Sequence, residues 1–158
     1  MSKQKVIAAA TAEIGYTEGV NNDNKFAAKV GHPNHQPWCA TFLMACLKAG
    51  DEADACINSA SVIAILDWAK KNNALITIQA AQAGDFILCA WNGSTIPQHI
   101  EIAVGAYNIV TNSVATIGGN TGTKSQANGD GVFKKVRAKS EIFAVVRPKY
   151  KATDTEKK

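Results

Sequence analysis

Cys39 is the residue of this chain whose setting most favours nucleophilic chemistry. It follows a Pro-Trp pair, and an apolar pattern with helical spacing begins at it and continues through Phe42 and Cys46. Pro37 suits the entry to a helix, because its ring fixes φ and a first-turn N–H has no partner there. Cys39 is therefore predicted in the first turn of a helix, where the positive end of the dipole favours a thiolate. The alternative is a small core residue, the commoner fate of a free cysteine.

His99 is the best candidate for the base that such a cysteine needs. In cysteine-dependent hydrolysis an imidazole takes the thiol proton and later returns a proton to the leaving amine. His99 begins an alternating strand, so it is expected at a sheet end where a helix start can meet it. His32 and His35 fall in a Pro-containing loop and are expected to face solvent. For His99 the alternative is a hydrogen-bonded structural role.

The remaining cysteines are Cys46, Cys56 and Cys89. None has C-x-x-C spacing, and a cytoplasmic chain of this size needs no disulfides. They are expected to pack as small apolar residues.

The elements that must position Cys39 and His99 come as helices first and strands afterwards. Helical patterns cover residues 2–14, a short segment up to residue 30, residues 39–50 and residues 62–71. Strand patterns cover residues 86–91, 99–104, 114–117, 132–137 and 142–146. This order predicts an α+β fold in which N-terminal helices pack on a small antiparallel β-sheet.

Length and composition indicate one globular domain. The chain has 158 residues, of which 46% are hydrophobic, and a net charge of +4. We expect a single catalytic domain at residues 1–148 and a flexible basic tail at residues 149–158. No apolar run reaches the ~20 residues of a membrane span, and the first residues do not form a secretory signal. We therefore expect synthesis in the cytoplasm, no membrane insertion and no nucleic-acid partner.

The order of a helix-start Cys, a strand His and a strand-end Asn resembles the CHAP family (cysteine, histidine-dependent amidohydrolases/peptidases) of the papain-like NlpC/P60 group. The stretches that carry the resemblance are residues 37–42 (PWCATF), 83–86 (AGDF), 99–103 (HIEIA) and 117–121 (IGGNT). The similarity extends over residues 5–148. It implies a papain-like CHAP fold.

By this resemblance Cys39 is the nucleophile, His99 the base and Asn120 the residue that orients the imidazole. The backbone N–H of Cys39 is a candidate oxyanion donor because it lies at the helix start, and Gln36 is a second candidate. Asp85, after Gly84, is expected to be structural.

Two positions depart from the family pattern. Many members have Glu-Gly-Asn where this chain has Gly118, Gly119 and Asn120, and many have glycine where it has Glu101. Period two places Glu101 on the face of His99, so one hypothesis is that Glu101 supplies the missing carboxylate or narrows the groove. The alternative is a glutamate at the surface edge of the sheet.

No cofactor or metal is expected. The loop at residues 21–24 offers only one carboxylate, whereas calcium sites use several, so turn and capping roles are favoured. A zinc site at His32, His35 and Cys39 lacks a fourth ligand.

The resemblance implies a peptidoglycan hydrolase, either an N-acetylmuramoyl-L-alanine amidase or a peptide endopeptidase, that cuts an amide bond through a thioester. Bacterial peptidoglycan is the expected partner and a monomer the expected state. A bacteriophage endolysin, reaching the cell wall after holin-type release, is the expected setting. Alternatives are a bacterial CHAP amidase effector, a tail-associated lysin, or a degenerate module that binds wall peptide without cleavage.

Overall fold

The fold combines helices with one antiparallel sheet, as the sequence predicts. The computed structural model describes residues 2–122, 125 and 129–151. Within these residues the helices are α1 (Ser2–Ala12), α2 (Phe26–Val30), α3 (Cys39–Ala49) and α4 (Val62–Lys71). The strands are β1 (Leu75–Ile76), β2 (Phe86–Cys89), β3 (His99–Ala103), β4 (Ser113–Thr121), β5 (Gly131–Ala138) and β6 (Ile142–Val146). The strands lie in the order β1-β6-β2-β3-β4-β5.

Helix α3 is the central helix. Its residues 39–47 are all buried, and it packs between α1 and α2 on one side and β3 and β4 on the other. It contains neither Gly nor Pro, and most of its residues are the strong helix formers Ala, Leu, Met and Lys, which lets it persist for three turns. A fully buried side chain such as Phe42 contributes about 1.5 to 3 kcal/mol to this contact.

Both faces of the central strands are buried. Ile100, Ile102 and Ile117 join the helix-side core, whereas Ile87, Ala103 and other small or branched side chains form a second cluster on the opposite face. Because side chains alternate along a strand, His99 and Glu101 belong to this second face. The site is therefore built into the protein interior.

Several boundaries differ from the sequence predictions. Helix α1 ends at residue 12, and β4 continues through Thr121 because it pairs with β5 as far as Gly131. The two-residue strand β1, which pairs with β6, is not predicted by the sequence because it is too short to show a period. Part of the predicted loop at 121–131, at positions 123, 124 and 126–128, lies outside the described residues.

The predicted tail begins later than expected. The Lys149 amide donates to Ala55, the Tyr150 hydroxyl to the Gly84 carbonyl at 2.7 Å, and the Lys151 amide to the buried Glu52 carboxylate at 3.0 Å. Residues 149–151 are thus docked on the domain, and residues 152–158 lie outside the described residues. This contact depends on a distant buried acid, which no local pattern reveals.

No helix among the described residues has the length and apolar character needed to cross a membrane.

Candidate active site

Cys39 is the first residue of α3, as predicted. Trp38 has a non-helical φ of −122°, and its carbonyl accepts the first helical hydrogen bond from Phe42 at 2.9 Å. Trp38 is fully buried, and its indole N–H donates to Glu18 at 2.9 Å. This anchored indole fixes where the helix begins and hence where the thiol lies. The first N–H groups of a helix have no partner within it, so the thiol lies beside several backbone donors.

His99 is the first residue of β3 and is completely buried. Its Nε2 atom lies 2.8 Å from Oε2 of Glu101. Burial alone would lower the pKa of His99, but the contacts with Cys39 and Glu101 outweigh it and raise the pKa from 6.5 to about 9. The imidazolium is therefore favoured at neutral pH.

The Cys39 side chain acts on the imidazole strongly enough to raise the pKa of His99. Because Nε2 is taken by Glu101, Nδ1 is the nitrogen that faces the thiol. Nδ1 has no hydrogen-bond partner among the described residues. Such bonds are often long or poorly aligned until a substrate binds. Cys39 retains 5% exposure, so the thiol is reached only through a narrow opening.

Glu101 lies in the interior, so the alternative prediction of a glutamate at the surface edge of the sheet is wrong. Its side chain is fully buried and accepts hydrogen bonds from His99, from Thr116 at 2.7 Å, and twice from Arg137. Burial would raise the pKa of Glu101, but the bonds from Arg137 and then His99 lower it to about 2. Glu101 is thus ionised at neutral and mildly acidic pH.

Gly118 makes room for this carboxylate. A Cβ atom built at position 118 would overlap the Glu101 side chain, with Oε2 the nearest atom. Positions 101 and 118 therefore project into one space on neighbouring strands, and only one of them can fill it. The chain has the acidic residue at 101 and the glycine at 118, the reverse of the arrangement expected from the resemblance.

Asn120, predicted to orient the imidazole, lies on β4, and Glu101 is the residue bonded to Nε2 of His99. It is fully buried, with φ of 52°, in an interruption of the β4–β5 ladder between Gly118 and Thr121. Its carbonyl accepts a hydrogen bond from Gly129 at 2.8 Å. A contribution of the Asn120 amide to catalysis stays a prediction.

The other histidines lie outside this cluster. His32 was expected to face solvent, but it is half-buried and bonded to Thr41 at 2.8 Å and Asn58 at 2.7 Å, because the loop folds back on α3. His35 is exposed and contacts the Asn21 carbonyl.

Cys46, Cys56 and Cys89 are buried free thiols, as expected. Burial raises the pKa of all three, that of Cys56 to about 12. Ordinary alkylating reagents should therefore react slowly with them.

Gly84 and Asp85 have the structural role that was predicted. Gly84 has φ of 95°, and Asp85 is buried at the start of β2, where both its oxygens accept from Arg147 at 3.0 Å. This pair lies at the opposite end of β2 from Cys89, the residue opposite His99.

Sequence reasoning missed Arg137, Thr116 and Trp91. Their only sequence signal is that Arg137 falls on an alternating strand, and period two does not reveal that its side chain crosses β4. Trp91 follows β2, with its ring 6.1 Å from the His99 ring. These residues complete the surroundings of the imidazole.

Among the described residues no group of three His, Cys, Asp or Glu side chains is arranged to hold a metal ion. Gln36 is half-buried three positions before Cys39, and its role as an oxyanion donor stays a prediction.

No protein-family model matches this chain, and no curated protein matches it.

Proposed function

We propose that this protein is a cysteine-dependent hydrolase of amide bonds. The observation that carries the proposal is the arrangement of three groups: a thiol at a helix start, an imidazole facing it, and a buried carboxylate on the far nitrogen of that imidazole. Each group has a partner that catalysis of this kind requires. A structural histidine needs no thiol opposite its ring.

The first half of the reaction forms a thioester. In the reacting state the proton of the Cys39 thiol lies on Nδ1 of His99, which is then the imidazolium, and Sγ attacks the carbonyl carbon of the substrate as the thiolate. The resulting oxyanion is stabilised by N–H groups at the start of α3, with the amide of Cys39 as the first candidate. The C–N bond then breaks, and the amine leaves with the proton that the imidazolium returns.

The second half hydrolyses the thioester. His99, neutral again, takes a proton from a water molecule, and the hydroxide attacks the thioester carbonyl. Collapse releases the carboxylic acid and regenerates the thiol. Glu101 stays ionised throughout: it fixes the proton of the neutral ring on Nε2 and stabilises the imidazolium that forms in both halves.

We propose peptidoglycan as the substrate, cut as an N-acetylmuramoyl-L-alanine amidase or as a peptide endopeptidase cuts it. Support comes from the resemblance of residues 37–42, 99–103 and 117–121 to CHAP enzymes and from the net charge of +4, which favours an anionic cell wall. Binding of wall peptide without cleavage was an alternative because the acidic residue before Asn120 is missing. Glu101 supplies a carboxylate in that space, which favours cleavage over this alternative.

The test compares the protein with its Cys39→Ala variant on suspensions of purified peptidoglycan. The control is Cys46→Ala, which removes a buried thiol two turns along the same helix. We expect the parent and Cys46→Ala to clear the suspension and Cys39→Ala to leave it turbid. Fragment masses identify the bond: an amidase frees the amino group of the first alanine, and an endopeptidase frees one within the peptide. Absence of new amino groups with every wall type would refute the peptidoglycan proposal.

The endolysin setting is proposed on the resemblance alone. Its test is expression in a bacterium with and without a separately induced holin. We expect lysis only when both are present, and lysis without holin would contradict holin-dependent release.

A further inference from the structure

Arg137 lies on the edge strand β5, two strands away from His99, and reaches across β4 into the buried cluster. Its Nε donates to Oε1 of Glu101 at 2.7 Å and its Nη2 to Oε2 at 2.6 Å. The side chain is only 3% exposed. An arginine in the interior is thus bonded to both oxygens of the carboxylate that holds the imidazole.

This fork fixes the plane of the Glu101 carboxylate. Two parallel bonds from a planar guanidinium define orientation as well as position. The Thr116 hydroxyl adds a third bond to Oε1, and Oε2 is shared between Arg137 and Nε2 of His99. Any rotation of the carboxylate away from His99 breaks bonds to Arg137, so the guanidinium determines indirectly where the imidazole points.

The guanidinium is itself held from two other directions. It lies 5.3 Å from the centre of the Trp91 ring, and its Nη1 lies 3.6 Å from Glu141. Glu141 also accepts the indole N–H of Trp91 at 2.8 Å. Trp91 and Glu141 therefore fix Arg137, and Trp91 covers the cluster beside His99.

Stability alone gives a weak reason for this arrangement. Removing an arginine and a glutamate from water is costly, and well-packed apolar side chains are often as stabilising as a buried ion pair. The pair contacts the histidine that faces the thiol. We propose that Arg137 is a positioning residue of the active site, which clamps both oxygens of Glu101 and so keeps this group ionised and aimed at Nε2 of His99. The inference rests on the proposed function only in taking His99 as the base for Cys39.

The groups that act electrostatically on Glu101 come from three strands. They are His99 on β3, Cys89 on β2, and Arg137 and Lys135 on β5, while Glu141 acts on Arg137 from the turn after β5. Burial raises the pKa of Glu101, and the bonds from Arg137 are the largest influence that lowers it. Loss of Arg137 therefore lets Glu101 take up a proton at higher pH, and a protonated Glu101 no longer stabilises the imidazolium.

The experiment measures alkylation of Cys39 by iodoacetamide between pH 4 and pH 10, with the Cys39 peptide quantified by mass spectrometry. It needs no substrate, so a failure to cleave peptidoglycan does not affect it. In the parent we expect fast alkylation well below the pH at which a free thiol reacts. If Cys39 of the parent reacts only as a free thiol does, the proposed function fails, whatever the role of Arg137.

The decisive variant is Arg137→Gln, and Arg147→Gln is the matched control, because it removes an equivalent fork on Asp85 at the other end of the sheet. We expect Arg137→Gln to slow alkylation of Cys39 at pH 6 about tenfold. The pH at which the alkylation rate begins to fall on acidification should rise by about one unit. Arg147→Gln should lose stability but keep the parent profile. A folded Arg137→Gln protein with the parent profile would overturn the proposal.

Arg137→Lys decides the matter if the glutamine variant does not fold. It keeps the charge and loses the fork, so we expect a partial shift of the alkylation profile in the same direction. A parent profile in Arg137→Lys would show that the fork is not needed and would equally overturn the proposal. The pKa of His99, followed by NMR with His32 and His35 as internal references, should fall in each variant that shifts the alkylation profile.

Discussion

Replacement of Glu101 by Gln tests the site most directly, because it changes one oxygen to an amide without changing the volume. Each carboxylate oxygen accepts a bond from Arg137, and Oε2 also accepts from His99. Whichever oxygen the amide nitrogen replaces, its N–H groups face an N–H donor of Arg137, so one hydrogen bond is lost. If it lies toward His99, it also forces Nε2 to accept, and Nδ1 then carries the proton and cannot take one from Cys39.

The expected magnitude follows from the pKa of His99. Its rise from 6.5 to about 9 corresponds to roughly 3 kcal/mol in favour of the imidazolium, shared between the contacts with Cys39 and Glu101. If Glu101 supplies half of this, its loss lowers the ratio of imidazolium to neutral imidazole at a given pH about tenfold. Loss of the correct tautomer adds to this, so we expect kcat/KM to fall about 10²- to 10⁴-fold.

The assay follows kcat/KM on soluble peptidoglycan fragments together with the pKa of His99 by NMR. The matched control is Asp85→Asn, because Asp85 is also a buried carboxylate held by an arginine fork. Both variants should be less stable than the parent. Glu101→Gln should cost about 3 to 5 kcal/mol, because it leaves the buried Arg137 without its partner, whereas Asp85→Asn should cost less, because the Arg147 side chain is 39% exposed. Only Glu101→Gln should lower the pKa of His99.

The reasoning would be refuted by a folded Glu101→Gln protein that keeps both the parent rate and the parent pKa of His99. It would also be refuted if Asp85→Asn lowered kcat/KM as much as Glu101→Gln does. In that case the loss would reflect general loosening of the sheet.

Three further predictions follow from individual contacts. Gly118→Ala should displace the Glu101 carboxylate and lower both activity and the pKa of His99, whereas Gly105→Ala, which meets nothing within 4 Å, should be neutral in both measurements. Urea unfolding should show greatest stability between pH 4.5 and 6.5. The contribution of Glu101 is lost as pH falls from 4.5 to about 2, and that of His99 is lost as pH rises from 6.5 to about 9. A stability that stays constant between pH 5.5 and 9 would contradict the sign derived for His99. Ser61→Ala should lower the free energy of unfolding by about 1 kcal/mol, because the Ser61 side chain caps α4; an unchanged urea midpoint would exclude that role.

The sequence predicts the elements of the site well because their signals are local. Apolar spacing and Pro37 correctly predict that a helix begins at Cys39. Alternation along residues 99–103 correctly places His99 and Glu101 on one face of a strand. Both results depend only on helical or strand periodicity, which a chain carries in its own residue order.

The sequence alone does not show how strands from distant parts of the chain meet. Whether Glu101 is buried depends on β4 and β5 lying beside β3, and Arg137 contributes because its side chain spans β4. The docking of residues 149–151 depends in the same way on Glu52, about a hundred positions earlier in the chain.

By itself, then, the sequence determined the α+β class, the helix that begins at Cys39 and the shared face of His99 and Glu101. The tertiary structure alone decided which group holds Nε2 of the imidazole. Gly118 leaves a space between β3 and β4 that the Glu101 carboxylate fills, and Arg137 fixes this carboxylate at Nε2. The physical reason is that a partner in a folded interior is selected by available space and by compensation of buried charge, and both arise only when the strands are assembled.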